Sequence, residues 1–134
     1  MRATKIVTCF ITNENKILLL KRSDKVKSMK GLWAGVSGII EKDEPPLARA
    51  KREIFEEVGL HEGQINLLKS EKEMRIVSPQ YKNHEWLVFP FLFGTENQTI
   101  KLNWENSDYR WISIDEIKNF ETVPSLDKVL LNLL

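Results

Sequence analysis

Residues 38–60 read GIIEKDEPPLARAKREIFEEVGL, and the second half of this stretch has the local features of a helix. Pro45 and Pro46 supply fixed φ angles, and they lack N–H groups that a first helical turn would leave unpaired in any case. A residue before proline is pushed out of the helical region, so we expect Glu44 to be the last extended residue. Gly59 is typical of a left-handed helix end. The stretch therefore predicts a helix that begins at Pro45 and ends before Gly59.

This predicted helix has an apolar side and an acidic side. At about 100° per residue, apolar side chains gather on one side. They are Leu47, Ala50, Ile54, Phe55 and Val58. Glu53, Glu56 and Glu57 gather nearly opposite, at spacings of three and four, where each pair repels by roughly 0.2–0.5 kcal/mol. Arg52 precedes Glu56 by four residues and offsets only part of this repulsion.

The position of the three glutamates requires a reason. A solvated acidic face is the ordinary explanation for a glutamate-rich helix. Here, however, Glu56 and Glu57 lie in the last turn, where the helix dipole disfavours negative charge. A divalent cation would resolve the conflict, because carboxylate oxygens are ligands that Mg²⁺ and Mn²⁺ prefer. The pattern therefore predicts a metal site on this helix.

At these positions the chain resembles the Nudix (MutT-like) hydrolases. Their signature is glycine, five residues, glutamate, seven residues, and then Arg-Glu-apolar-any-Glu-Glu-any-Gly-apolar. Every constrained position is filled at the right spacing, by Gly38, Glu44, Arg52, Glu53, Ile54, Glu56, Glu57, Gly59 and Leu60. The resemblance implies an α/β fold, an α/β/α sandwich with a mixed β-sheet between helices, over a single domain of residues 1–134.

The resemblance also implies a reaction, the metal-dependent hydrolysis of a nucleoside diphosphate linked to another moiety, X, by attack of water on phosphorus. It places Glu53, Glu56 and Glu57 as ligands of Mg²⁺ or Mn²⁺, with Glu57 the foremost direct ligand. A backbone carbonyl near Gly38 would also contact the metal. Glu53 could instead be the general base, because family members differ in which glutamate accepts the proton.

Further residues receive supporting roles from the resemblance. Arg52 would act in catalysis by orienting Glu56 through a salt bridge, and Glu44 would lie behind the metal ligands. Family members often recruit one more acid from a late loop. Glu105 is the best placed candidate and Glu96 the runner-up, although a solvated loop acid is an equally good account of either.

Three residues from the end of the second strand to the start of the signature are candidates for substrate binding. Arg22 and Lys30 could attract a phosphate chain, although loop lysines ordinarily only solubilise a protein. Trp33 could stack on a base, and packing against the sheet would explain it equally well. The family's substrate markers are not matched, since Asn119, Pro79 and Tyr81 each miss the expected position or context. A small nucleoside di- or triphosphate is the favoured substrate.

The rest of the chain predicts strands, a short helix opened by residues 115–117 and one last helix. Residues 4–11 and 16–22 predict a hairpin around an Asn-Glu-Asn turn, and the apolar run 17–20 predicts a sheet covered on both faces. Two strands, 67–77 and 85–93, should follow around a polar loop at 78–80. We expect strand 85–93 to be central, and Pro90 within it predicts a bulge or an edge. Shorter strands at 99–102 and 109–114 and a helix at 126–134 complete the pattern.

Composition excludes several classes. The chain has 134 residues, enough for one domain, and its net charge of +1 favours neither a nucleic-acid coat nor a polybasic membrane anchor. Cys9 is its single cysteine, which excludes an internal disulfide and indicates a packed thiol in a reducing compartment. No apolar run approaches the length of a membrane span. We expect a cytoplasmic protein without a nucleic-acid or membrane partner.

Alternatives from other classes remain open at this point. A non-catalytic nucleotide-binding module shares the fold but usually loses signature glutamates, and all are present here. Isopentenyl diphosphate isomerases share the architecture, but they are longer and use a later cysteine than Cys9. An RNA 5′-pyrophosphohydrolase has the same chemistry, and a basic groove would distinguish it. The resemblance also leaves a homodimer open.

Overall fold

A mixed eight-stranded β-sheet is the centre of this computed structural model, which describes residues 2–77 and 83–134. The strands are β1 (Arg2–Asn13), β2 (Lys16–Arg22), β3 (Trp33–Ala34), β4 (Val36–Ile39), β5 (Asn66–Ser70), β6 (Met74–Val77), β7 (His84–Gly94) and β8 (Asn106–Ser113). The helices are α1 (Pro46–Val58) and α2 (Leu126–Asn132), with 3₁₀ turns at Glu62–Gln64 and Ile114–Asn119. The predicted loop at 78–80, including Pro79, and also Tyr81 lie outside the described residues.

Strand β1 organises the sheet. It runs parallel to β7 over its length, from Arg2 opposite His84 to Thr12 opposite Gly94. On its other side it pairs with β4 through Ile6–Cys9 and with β2 at the hairpin turn. The predicted hairpin is confirmed. Strand β2 continues the sheet outward to β3 and β8, while β4 pairs with the middle of β1 and β2 with its last two residues.

Each face of the sheet is covered by one helix. Along β1, Val7, Cys9 and Ile11 pack with α1, while Phe10 packs with α2 on the opposite face. The β2 side chains alternate in the same way, because successive residues of a strand point to opposite faces. The expectation that residues 17–20 are buried on both faces is therefore confirmed, as is the mixed sheet between helices.

Pro90 lies inside a central strand, where the sequence predicted a bulge or an edge. The outer neighbour of β7 changes at this point, from β6 opposite residues 85–88 to β5 opposite residues 91–94. A proline has no N–H to donate to a neighbouring strand, so it is tolerated where one partner ends and the next begins. The same break divides the predicted strand 67–77 into two.

Helix α1 differs from its prediction in two respects. It begins at Pro46, not at Pro45, and Pro45 is the extended residue before it, with φ −63° and ψ 134°. Pro45 itself precedes a proline, so the rule applied to Glu44 applies one residue later. Phe55, predicted to lie in the core, is 49% exposed and contacts the ring of His61 at 4.8 Å. Gly59 ends the helix with φ 77°, as predicted.

The predicted strand at 99–102 is wrong. This segment is an irregular connection, tied to the end of α1 by a hydrogen bond from the Lys101 N–H to the Val58 carbonyl at 2.9 Å. Strand β8 and helix α2 confirm the two predictions that follow it, with ends shifted by up to three residues. Among the described residues, no helix has the length and apolar character needed to cross a membrane.

Candidate active site

Three carboxylates meet at the side of α1 that faces the sheet. Glu53 and Glu57 come from α1, and Glu105 comes from the loop before β8. One oxygen from each lies within 4.8 Å of the others. We call these three residues the acidic cluster. The sequence predicted all three as site residues, and the fold brings them together although Glu105 is about fifty positions further along the chain.

Two members of the cluster are more buried than the sequence predicted. Glu53 is 7% exposed and Glu57 is 3% exposed, whereas both were expected opposite the core side of the helix. At about 100° per residue, Glu57 lies only about 20° from Ala50, which is fully buried. The two glutamates therefore belong to the edge of the buried face. Because water screens buried charges less, the repulsion between these two carboxylates is stronger than it would be on the surface.

Glu53 is held in one orientation by two neighbours. Its Oε2 accepts a hydrogen bond from Arg49 Nη1 at 2.9 Å. On its other side it lies against Gly38 in β4, where an added Cβ would overlap the Glu53 carboxylate. Glycine is thus required at position 38 for steric reasons, and the signature glycine leaves space for the signature glutamate. A backbone role for Gly38 toward a metal stays a prediction.

Arg49 is a functional residue that the sequence reasoning missed. Its side chain is only 7% exposed, and it donates from Nε to Glu44 Oε1 at 2.7 Å as well as to Glu53. These two hydrogen bonds raise the pKa of Arg49, and Arg49 holds the pKa of Glu44 below its usual value. The spacing was visible in the sequence, because Arg49 precedes Glu53 by four residues on one helix. Arg49 links Glu44, expected behind the ligands, to the acidic cluster.

Glu57 is the least compensated carboxylate of the site. Its Oε1 accepts a hydrogen bond from the amide of Asn106 at 3.2 Å. Its buried Oε2 has no hydrogen-bond partner among residues 2–77 and 83–134. Burial raises the pKa of Glu57 well above its usual range, and the charges of Glu105 and Glu53 raise it further. Asn106 was not singled out in the sequence.

A divalent cation fits this arrangement. A buried oxygen without a partner normally costs about 1–3 kcal/mol and therefore needs an explanation. The donors that converge here are carboxylate oxygens, the ligand type of Mg²⁺ and Mn²⁺. Two come from α1 and the third from the loop before β8. The acidic cluster could therefore hold a divalent metal.

Of the two late-loop candidates, Glu105 is the one that lies in the acidic cluster. Its loop is anchored by the Ser23 N–H, which donates to the Glu105 carbonyl at 2.8 Å, and by Asn103, whose Oδ1 accepts from the Glu105 N–H at 3.0 Å. Partial burial raises the pKa of Glu105, and a hydrogen bond from Asn103 opposes the shift. Glu96 is exposed just after β7 and does not belong to the cluster.

Glu56 lies near the cluster but in a different environment. It is exposed, and Arg52 donates to its Oε1 from Nε at 3.1 Å, the ion pair that the sequence predicted. The side chains of Arg52 and Glu56 are 62% and 42% exposed. Glu56 lines the cleft described next, so it faces the space where a substrate would lie.

A cleft of about 530 Å³ opens beside the acidic cluster. Arg22 lines it, with Nε and Nη2 donating to the Ser28 carbonyl at 3.2 and 3.0 Å. Lys30 and Trp33, the other two predicted substrate contacts, are not among the lining residues. Trp33 instead packs edge-on against Phe120 with ring centroids 5.2 Å apart, the packing role that the sequence left open.

Two other tryptophans line the cleft. Trp86 lies in β7, and Trp104, which is 61% exposed, directly precedes Glu105. The sequence offered no signal for either, because their neighbours in the chain carry no motif. Cys9 is buried on the α1 side of β1, where burial raises the pKa of its thiol. This position fits the expected packed thiol.

Comparison with known proteins gives a consistent assignment. A family model described as NUDIX domain matches residues 2–133. The chain is 26% identical to a dihydroneopterin triphosphate diphosphatase of Haemophilus influenzae, over 96% of this chain and 87% of the relative. It is also 26% identical to nucleoside triphosphatase NudI of Escherichia coli, over 97% of this chain and 96% of the relative. An RNA pyrophosphohydrolase of Bartonella bacilliformis is 26% identical over 81% of this chain and 69% of the relative.

Solved structures share the fold. The MutT protein from Methanosarcina mazei superposes with a TM-score of 0.82 at 23% identity, covering 98% of this chain and 92% of that one. An Ap4A hydrolase from C. elegans gives a TM-score of 0.74 at 16% identity, covering 96% and 93%. At these identities the likeness concerns the fold alone, and it confirms the predicted α/β architecture.

Proposed function

The chain belongs to the Nudix family, and from that premise we propose that it is a divalent-metal-dependent pyrophosphohydrolase acting on a nucleoside diphosphate linked to another moiety. Nudix enzymes hydrolyse pyrophosphate bonds. The observation that carries the proposal for this chain is the acidic cluster, with a buried Glu57 oxygen that lacks a partner among the described residues. Such a site is costly to maintain unless it binds something positive.

The acidic cluster would hold Mg²⁺ or Mn²⁺. Glu53, Glu57 and Glu105 offer oxygens from two elements, and exposed Glu56 faces the same cleft. Such a cation, when bound, neutralises charge that develops on phosphoryl oxygens and assists the attacking water. Arg49 keeps one oxygen of Glu53 engaged, which leaves the other oxygen for the metal or for a proton.

Proton transfer from water requires a carboxylate near the phosphorus. Glu53 is the proposed base, with Glu105 as the alternative, since Glu105 stands at the open side of the cluster and is only partly buried. Water attacks one phosphorus of the diphosphate linkage, and the bridging P–O bond breaks. One product gains the oxygen of water on its phosphorus, and the other keeps the bridging oxygen on its phosphate. The base accepts the proton of the water and then releases it to solvent.

The cleft gives the substrate a direction. Its charged end contains Glu53, Glu56 and Glu105, so the phosphates of the substrate would lie there. Arg22 stands on the wall of the same cleft and would attract the phosphate chain by charge. We further propose that the substrate is a small nucleotide, that the protein is cytoplasmic, and that residues 1–134 form one domain. The homodimer that the resemblance left open is tested by measuring the oligomeric state in solution.

Product analysis tests the proposal. The purified protein is incubated with nucleoside triphosphates, ADP-ribose, dinucleoside polyphosphates, nucleotide sugars and 5′-triphosphate RNA, each with Mg²⁺, Mn²⁺ or chelator. We expect metal-dependent cleavage of at least one small nucleotide, and reaction in ¹⁸O-labelled water followed by ³¹P NMR identifies the phosphorus attacked. Thermal stabilisation by the same nucleotides without turnover would instead indicate a binding module. Turnover of the RNA alone would indicate an RNA pyrophosphohydrolase.

A further inference from the structure

The turn that carries Glu105 is joined to the rest of the protein by Ser23. Ser23 directly follows β2 and is only 6% exposed, although its side chain is polar. Its N–H donates to the Glu105 carbonyl at 2.8 Å, and its Oγ donates to the Trp104 carbonyl at 2.7 Å. Among the described residues, Ser23 supplies the hydrogen bonds that connect Trp104 and Glu105 to another part of the chain. One serine thus holds two consecutive carbonyls.

The Ser23 hydroxyl is fixed in one orientation. Besides donating to Trp104, its Oγ accepts a hydrogen bond from the Lys25 N–H at 3.2 Å. A serine hydroxyl can otherwise rotate to suit its surroundings, but one acceptor and one donor on the backbone select a single direction. The loop after β2 therefore sets the geometry of the bond to Trp104.

Contacts within the turn shape it without placing it in the fold. Asn103 Oδ1 accepts from the Glu105 N–H at 3.0 Å, a bond between residues only two apart that moves with the turn. Asn106, the next residue, is held separately, because its side-chain amide donates to Glu57. The position of the Glu105 backbone relative to the acidic cluster therefore depends on Ser23.

Ser23 itself is separate from the space where a substrate would lie. Arg22, Ser28 and Met29 line the cleft, whereas Ser23 is not among the described lining residues. Ser23 also lies outside the acidic cluster. An effect of its hydroxyl on the reaction must therefore pass through a neighbour, and the cluster member whose backbone it holds is Glu105.

We propose that Ser23 is a positioning residue, whose hydroxyl keeps the Glu105 carboxylate in place in the acidic cluster. The inference rests on the proposed pyrophosphohydrolase function, because it concerns the late-loop acid of that reaction. Groups that act in catalysis must be held within about 0.5 Å of their productive position. Residues that support metal ligands from behind typically change affinity or activity by about 10–100-fold when they are replaced.

The first test removes the hydroxyl and keeps the backbone N–H. In Ser23→Ala we expect kcat to fall by about 10–100-fold while KM changes by less than about threefold, because Ser23 does not contact the substrate. If Glu105 is mainly a ligand, the loss should appear in Mn²⁺ affinity, measured by electron paramagnetic resonance without nucleotide. Ser23→Thr keeps a hydroxyl and should recover most of the loss. Wild-type kcat together with wild-type Mn²⁺ affinity in Ser23→Ala would overturn the proposal.

Thr95→Val is the matched control. Thr95 is 7% exposed, and its Oγ1 donates to the Gln64 carbonyl at 2.7 Å and accepts from the Asn97 N–H at 3.1 Å. This is the hydrogen-bond pattern of Ser23, at a position outside both the cleft and the acidic cluster. Both variants lose a buried hydroxyl, so we expect similar losses of stability to urea. Equal losses of kcat and of Mn²⁺ affinity in the two variants would overturn the proposal, because a general loss of stability would then explain them.

A double-mutant cycle tests whether Ser23 acts through Glu105. In the Glu105→Gln background, Ser23→Ala should change kcat and Mn²⁺ affinity by less than about threefold, because the group that Ser23 positions is already lost. An undiminished effect in that background would overturn the proposal.

Metal binding separates failure of this inference from failure of the proposed function. If the wild type hydrolyses no nucleotide, the same cycle is measured on Mn²⁺ affinity alone. Weaker Mn²⁺ binding in Ser23→Ala, but not in Thr95→Val, would support the positioning role in a non-catalytic protein. Unchanged Mn²⁺ affinity in Ser23→Ala, or no Mn²⁺ binding by the wild type, would then overturn it.

Discussion

Arg49 and Glu53, four residues apart on α1, form a buried ion pair in which Nη1 donates to Oε2 at 2.9 Å. Both side chains are less than a tenth exposed, and Nε of the same guanidinium donates to Glu44 at 2.7 Å. One cation thus serves two signature carboxylates that the sequence motif treats as separate positions. Removing this cation should affect both stability and the geometry of the acidic cluster.

We expect Arg49→Met to lower the free energy of unfolding by about 3–5 kcal/mol, because the buried carboxylate of Glu53 loses its ion-pair partner. Turnover at saturating metal should fall as well, since Glu53 loses its orientation. Arg49→Lys should recover part of the stability but less of the activity, because an ammonium does not reproduce the planar fork of donors. Urea unfolding and kcat measured on the same preparations test both statements.

Arg52→Met is the matched control for Arg49→Met. It removes an arginine–glutamate pair of the same spacing on the same helix, but this pair is mostly exposed. Such surface pairs contribute only about 0.3–0.5 kcal/mol. Equal stability losses in the two variants would contradict the assignment of Arg49 to a buried network. Loss of activity in Arg52→Met without loss of stability would support the predicted orienting role.

Gly38→Ala tests the close approach between β4 and the acidic cluster. The new Cβ would overlap the Glu53 carboxylate, which Arg49 prevents from moving freely. We expect a stability loss of about 1–3 kcal/mol from overpacking, and weaker Mn²⁺ binding by electron paramagnetic resonance because Glu53 is displaced. Gly63→Ala is the control, since no atom lies within 4 Å of its added Cβ. Unchanged Mn²⁺ affinity in Gly38→Ala would refute the steric argument.

The sequence predicted the sheet, both helices and the acidic cluster, because these depend on local periodicity and on a motif with fixed spacing. The members of the cluster in α1 share one helix, so their proximity follows from the helical repeat alone. Glu105 was identified only through the family resemblance, since its approach depends on how β8 returns beside β2. The exposed position of Phe55 was missed because helical periodicity shows which residues share a side of the helix, but not how much of that side the sheet covers.

Two of the missed residues share a different cause. Asn106 and Trp86 are positioned by elements distant in sequence, and no local pattern encodes such placement, whereas the partners of Arg49 are local. Arg49 could have been found by extending the four-residue spacing argument one turn before Glu53. Asn106 and Trp86 could not, because each is positioned by strand register, which depends on the whole sheet.

Glu57→Gln should separate folding from metal binding. The variant removes a buried charge and keeps the shape, so in chelator we expect it to unfold at an equal or higher free energy than the wild type. Added Mg²⁺ or Mn²⁺ should no longer raise its melting temperature, because a ligand stabilises only a native state that binds it. Hydrolysis should be abolished, because the proposed reaction depends on the metal. Near-normal turnover in the folded variant would contradict the role of Glu57.

The pH dependence of stability follows from the raised pKa of Glu57. In chelator, the native state keeps this proton above the unfolded-state pKa of about 4.3, so it binds more protons than the unfolded state and stability falls as pH rises. Glu44 has a lowered pKa and contributes the opposite trend, losing stability on acidification. The free energy of unfolding of Glu57→Gln should therefore exceed that of the wild type by a margin that grows as the pH rises above about 4.3, the unfolded-state pKa of glutamate. A constant difference would contradict the shift.

The late-loop acid is tested by a pair of variants. Glu105 lies in the acidic cluster at the end of an anchored loop, whereas Glu96 is exposed and outside the cluster. We expect Glu105→Gln to lower kcat by about 10²–10⁴-fold if it transfers a proton, and to weaken Mn²⁺ binding if it is mainly a ligand. Glu96→Gln should change neither quantity. Loss of activity in Glu96→Gln, with normal activity in Glu105→Gln, would contradict the assignment of Glu105 as the late-loop acid.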